Sequence, residues 1–165
     1  MAIRDSLLPE FDHEMATTRR LLERVPDGEL AWTPHEKSMT LGQLAGHIAN
    51  LPSWCTMTLD RTKLDVETIA SQRAAPQPSR DELLREFDRT VAQARALLAA
   101  ATDPELLAPW TLMQAQQEFF TLPRVSVLRS FVMNHLIHHR GQLTVYLRLK
   151  DISLPPIYGP TADEQ

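Results

Sequence analysis

Two histidines, His135 and His139, stand four residues apart in the stretch Pro123 to Lys150, PRVSVLRSFVMNHLIHHRGQLTVYLRLK. In it Val125, Leu128, Val132, His135, His139, the pair Gln142 and Leu143, and Tyr146 recur at steps of three and four, the period of one helix face. The pattern predicts a helix with both histidines on its buried stripe. Side chains four apart on a helix are neighbours, about 5–6 Å between Cβ atoms, so the two imidazoles can aim nitrogens at one shared ion. A third, His47, falls three residues after Leu44 and four before Leu51, on the core stripe of another expected helix.

Imidazole suits zinc, nickel, copper or iron, and three imidazoles leave at least one coordination position open to water or substrate. A divalent ion so held lowers the pKa of a bound water or thiol, giving a nucleophile at neutral pH, and can polarise a carbonyl. The competing reading makes each histidine a core residue satisfied by one hydrogen bond. Each would then need its own buried partner, at about 1–3 kcal/mol for an unpaired group, whereas one ion satisfies all three.

His138 rivals His139, but the i,i+4 pair keeps both rings on one stripe and favours His139. Gln142 either orients His139 or caps the polar edge of the helices. His13 lies about 200° around its helix from Phe11 and is expected in solvent. His35 falls in a loop, without a partner at helical spacing. Cys55, eight residues past His47 and about 80° away around an ideal helix, reads as a small buried hydrophobe. No carboxylate or serine stands at a spacing that marks it as a general base, so the catalytic residues are unknown.

The elements that must carry these histidines follow from period and caps. Leu7, Leu8, Phe11, Met15, Leu22 and Val25 predict a first helix from Ile3 to about Val25, ended by Pro26-Asp27-Gly28. Thr40 and Gln43 form a capping box for the second, with Leu41, Leu44, Ile48 and Leu51 buried and Pro52 marking a kink before Trp54 to Leu59. Gly42 and Gly46 lack side chains and read as close-packing positions, where a neighbouring helix is expected to approach. Asp60 to Ser79, proline-rich at its end, reads as the long crossover. Ser79 and Glu82 then cap a third helix, reaching Ala101. Thr102 to Leu122 is too interrupted by Pro104 and Pro109 for an element. The fourth helix opens at Pro123 and stops before Leu154-Pro155-Pro156. This predicts an all-α four-helix bundle with one long crossover, a single domain over 1–165.

The totals limit the partners. A net charge of −4, with 17 Lys and Arg scattered along 165 residues, offers no basic stripe for nucleic acid. No run approaches the ~20 apolar residues of a membrane span. The opening MAIRDSLLPEFDHE lacks the apolar core of a signal peptide, and one cysteine suits a reducing compartment, so a cytoplasmic protein is expected.

His47 within LAGHIANLPSW, the run HLIHHRGQL from His135, the ending PPIYGP and the segment WTPHEKSMTLGQLAGH together resemble the DinB/YfiT-like superfamily of metalloenzymes, over almost the whole chain. The family pattern HxxxHRGQ is matched without departure. The resemblance implies a four-helix bundle, commonly a homodimer, that binds nickel or zinc through three histidines, here His47, His135 and His139. It further implies a small-molecule substrate. In characterised relatives the metal activates a low-molecular-weight thiol, such as bacillithiol, mycothiol or glutathione, for transfer to a small electrophile or for isomerisation. Two alternatives stand beside it. One is a non-enzymatic, stress-related helical bundle with a structural metal, closed by a fourth ligand such as His138 or Cys55; the other is a metal-free helical dimer.

Overall fold

Thr40 and Ser79 each start a helix by the same chemistry. The Thr40 hydroxyl accepts from the Gln43 amide at 3.1 Å, Gln43 Oε1 accepts from the Thr40 amide at 2.9 Å, and Ser79 Oγ accepts from the Glu82 amide at 3.3 Å. In the computed structural model, which describes residues 1–70 and 79–164, these caps open α2 (Leu41–Asn50) and α5 (Arg80–Ala100). α1 (Ile3–Leu22) ends before the Pro26-Asp27-Gly28 turn. Pro52 divides the second helix from α3 (Ser53–Asp60), since proline cannot continue the ladder of backbone hydrogen bonds.

The last helical rod has three parts: α7 (Arg124–Val127), a π-helical stretch over Leu128–Asn134, and α8 (His135–Arg148). α1 packs on α5 and α8, and α2 packs on the same two helices. Phe11, Met15 and Leu22, Leu44 and Ile48, Phe87 and Leu98, and Leu136, Leu143 and Leu147 share the core between them. Among the described residues no helix is long and apolar enough to cross a membrane.

The expectation of an all-α chain is corrected. A three-stranded sheet is present, with β1 (Lys63–Asp65) parallel to β2 (Pro109–Gln114), and β2 antiparallel to β3 (Gln117–Pro123). β1 and α4 (Val66–Ala70) occupy the start of the expected crossover, and α6 (Asp103–Leu107) precedes β2. The proline-rich end of that crossover, positions 71–78, lies outside the described residues.

The strands hid for identifiable reasons. β2 buries only Trp110 and Leu112, a period-two pattern too short to stand out beside Pro109. A register shift after Leu112 leaves Phe119 without an opposite residue, so two phenylalanines stand in sequence where alternation is expected. The hairpin turn also lacks a glycine or asparagine, with Ala115 instead held at φ 53°.

Leu64, Trp110, Leu112 and Val127 form a second, smaller core, against which Trp54, Phe120 and Phe131 pack. Phe131 of the π stretch stacks on Phe120 of β3 at 4.7 Å. Arg124 ties the rod to α3, its Nε donating to the Thr58 carbonyl at 2.9 Å and Nη2 to the Arg61 carbonyl at 3.1 Å.

An L-residue with a side chain in the left-handed region costs about 1 kcal/mol relative to glycine. Ala115→Gly therefore raises stability by up to about 1 kcal/mol, read as a higher thermal midpoint by circular dichroism. A lower midpoint would show that the turn is not strained.

Candidate metal centre

α2 contributes His47, and its placement starts from its first turn. The Leu41 amide donates to the Trp32 carbonyl at 2.8 Å and the Gly42 amide to the Leu30 carbonyl at 2.9 Å, anchoring α2 to the preceding loop. A Cβ at Gly42 would meet the Leu30 oxygen at 3.0 Å and its Cβ at 3.2 Å, so glycine permits the approach. The close contact is with this loop rather than with a neighbouring helix. Trp32 then packs edge-on to Tyr146 of α8 at 5.8 Å, and the Tyr146 hydroxyl donates to the Met39 carbonyl at 3.1 Å.

α8 contributes His135 and His139, though not from the centre of its buried stripe. The buried residues of α8 are Leu136, Arg140, Leu143 and Leu147, and the histidines stand half-buried beside them. The π stretch, with i→i+5 bonds, breaks the register that would have carried the stripe from Val125, Leu128 and Val132 into the histidines. The result suits a binding site better than a core position would, because one side of the cluster stays within reach of solvent.

The structure brings together all three histidines that the spacing singled out. The ligand atoms of His47, His135 and His139 all lie within 4.8 Å of one another, and His47 Nε2 is 3.4 Å from His135 Nε2. The ring centroids are 5.1 Å apart for His47 and His135, 4.5 Å for His47 and His139, and 4.7 Å for His135 and His139. Two nitrogens bound tetrahedrally to one zinc at 2.0–2.1 Å stand about 3.3 Å apart. The donor set therefore fits a divalent ion in type, and the His47–His135 pair matches that spacing.

Gln142 orients rather than caps. His139 Nδ1 donates to Gln142 Oε1 at 2.7 Å, which leaves Nε2 as the lone-pair atom of that ring. Burial lowers the pKa of His135, and the neighbouring His139 adds to the effect, against a hydrogen bond to the Phe131 backbone. His139 is lowered chiefly by burial, against the opposing Gln142 hydrogen bond. Both shifts favour neutral imidazole, the form that binds a metal.

The other candidates fall elsewhere. His138 is exposed, its ring 4.8 Å from that of His139, and it does not join the group of three. His35 is exposed in its loop, and exposed His13 stacks on Tyr158 at 6.5 Å. Cys55 is 1% exposed among Leu7, Phe11, Leu98, Leu128, Val132 and Met133, and burial pushes its thiol up to about 12. Such a thiol is inert as nucleophile and as ligand.

A buried ion pair went unread in the sequence. Arg140 stands on the stripe four after Leu136 and three before Leu143, and Glu14 stands three after Phe11 and four before Thr18. These are complementary charges on two core faces, and they meet at 2.7 Å.

The sequence profile of the DinB superfamily matches residues 10–143. This chain belongs to the DinB superfamily. Among relatives, it is 26% identical to the uncharacterized protein YrdA of Bacillus subtilis over 97% of this chain and 90% of YrdA. A crystallised DinB-like protein of Bacillus cereus superposes with a TM-score of 0.75 at 22% identity, over 95% of this chain and 98% of the other. The DinB-like protein YjoA of Bacillus subtilis superposes with a TM-score of 0.70 at 20% identity, over 93% and 96%. At those identities the likeness shows a shared DinB-like fold.

The lowered histidine values carry a sign for this DinB-superfamily protein. Where folded histidines release protons more readily than unfolded ones, the unfolded chain binds more protons and stability rises with pH. Metal-free protein is thus expected to keep its full histidine contribution above about pH 6.5 and to lose it as pH falls toward the lowered folded values. Thermal midpoints between about pH 8 and 5, compared with His135→Gln, measure this; an equal acid loss in the variant would contradict it.

Proposed function

We propose that His47, His135 and His139 hold one divalent ion, nickel or zinc, and that the protein is a metal-dependent transferase acting with a low-molecular-weight thiol on a small electrophile. The observation that carries this reading is the convergence of the three imidazoles to within 4.8 Å. Within that distance no fourth His, Cys, Asp or Glu of the described residues joins them, which supports an open coordination position over a closed structural site. A divalent ion there would lower the pKa of a bound thiol, supplying a thiolate at neutral pH.

The chain's own residues prepare for that chemistry. Burial favours the neutral form of His135 and His139, and Gln142 engages Nδ1 of His139, leaving Nε2 as the free nitrogen of that ring. Half-burial keeps one side of the cluster within reach of solvent and so of a small substrate. The chain's one cysteine, Cys55, is sealed in the core, so the thiol in this reading comes from solution. We read the helical body, with its sheet, as a single four-helix-bundle domain over 1–165, cytoplasmic and dimeric through its exposed helix faces.

Metal analysis of tag-free protein tests the reading. Wild type is expected to carry about one equivalent of metal, lost in His139→Ala and retained in His138→Ala. Loaded wild type is then expected to accelerate thiol consumption by electrophiles, and His139→Ala is not. Folded wild type that takes up neither nickel nor zinc would overturn the reading; metal retained in His139→Ala would overturn the ligand set.

A further inference from the structure

Arg140 follows His139 in the chain and points elsewhere. Consecutive helix residues are about 100° apart, so α8 turns His139 toward His47 of α2 and Arg140 toward α1. There Arg140 is 1% exposed and Glu14 5% exposed. Arg140 Nη2 lies 2.7 Å from Glu14 Oε2, while Nη1 donates to the Glu14 carbonyl and to the Thr18 hydroxyl, each at 3.2 Å.

Tyr158 closes the network from a third part of the chain. Its hydroxyl accepts from Arg140 Nη2 at 2.7 Å and donates to Glu14 Oε1 at 2.9 Å. Burial and the Glu14 carboxylate raise the pKa of this phenol, which keeps it a donor. The segment beyond Pro155-Pro156 is itself tied down. The Leu154 amide donates to Asp163, Asp163 pairs with Arg148 of α8, and Glu164 pairs with Arg24.

A buried ion pair adds little net stability over well-packed apolar residues of similar volume. What it adds is direction, because hydrogen bonds weaken steeply away from their axes. A helix with its side chains is about 10–12 Å across, so a nitrogen at its rim moves about 1 Å for every 10° of rotation. Metal–ligand distances tolerate about 0.2 Å.

We propose that Arg140, Glu14 and Tyr158 are positioning residues that set the rotation of α8, and with it the placement of His135 and His139, making the C-terminal segment part of the metal centre's support. The proposal rests on the reading of the three histidines as ligands. Its geometric content is independent of which reaction the site performs.

Cobalt(II) is the probe, since its visible absorption reports ligand geometry without any turnover. Tyr158→Phe removes one hydroxyl from a residue that is 64% exposed, so the fold is retained. It is expected to weaken cobalt binding about tenfold and to shift the visible bands. Glu14→Leu combined with Arg140→Met replaces the ion pair by an apolar pair. This double variant is expected to melt at or above the wild-type temperature and still to lose about tenfold in cobalt affinity.

A merely structural role would move the melting temperature and leave the spectrum alone. Unchanged affinity and spectrum in the folded variants overturn the proposal, and if the double variant does not fold, Tyr158→Phe alone decides. Wild type that binds neither cobalt, nickel nor zinc overturns the ligand reading itself, and with it this proposal.

Discussion

Three ring nitrogens from two different helices can meet at one point only if both helices are held in rotation and in register to fractions of an ångström. His47 comes from α2, while His135 and His139 come from α8, and their ligand atoms meet within 4.8 Å. Neither helix supplies that precision alone. α2 takes its register from the Thr40 capping box and from the Leu30 and Trp32 carbonyls, with Gly42 allowing the loop to sit against the helix. α8 takes its position from the core stripe of Leu136, Leu143 and Leu147, to which Arg140 adds the directional contact with α1.

The small sheet belongs to the same problem. It packs Trp110, Leu112 and Leu64 into a second core that reaches the rod through Val127 and Phe131. Phe131 stacks on Phe120 of β3 and stands four residues before His135, whose ring is hydrogen-bonded to the Phe131 backbone. The hairpin thus braces the π-helical stretch that delivers the first histidine of α8. π turns are uncommon and occur often at functional sites, where they shift side chains off the face a regular helix would give them. Here the shift moves the histidines from the centre of the stripe to its rim.

Charge is distributed to match. The one buried ion pair among those described joins Arg140 to Glu14, while pairs such as Arg95 with Asp12 and Arg19 with Asp88 bridge α1 and α5 at the surface. Surface pairs are worth at most about 1 kcal/mol each, so they decorate the α1–α5 contact rather than create it. At the cluster, partial burial suppresses the charge of His135 and His139 without help from a carboxylate. Neutral donors therefore stand ready at the pH where ordinary histidines begin to protonate.

Much of this was written locally in the chain. Helix caps at Thr40 and Ser79, the break at Pro52 and the pairing of His135 with His139 depend on residues a few positions apart, and period and capping chemistry report such relations directly. His47, by contrast, lies 88 positions from His135 and was legible only as a third histidine on a helix stripe. The strands were not legible, because a two-residue buried pattern, a bulge at Phe119 and a turn built on Ala115 each erase the signal that alternation and turn residues would give. Nor was the half-burial of the histidines, since a π stretch has no sequence period of its own. The sequence by itself determined the long helices and that His135 and His139 share one helix face, while the short helices at Val66–Ala70 and Asp103–Leu107 escaped it. Tertiary structure alone decided that Arg140, Glu14 and Tyr158 meet, because their pairing spans more than a hundred positions and follows from where α1, α8 and the C-terminal segment pack, which no local pattern encodes.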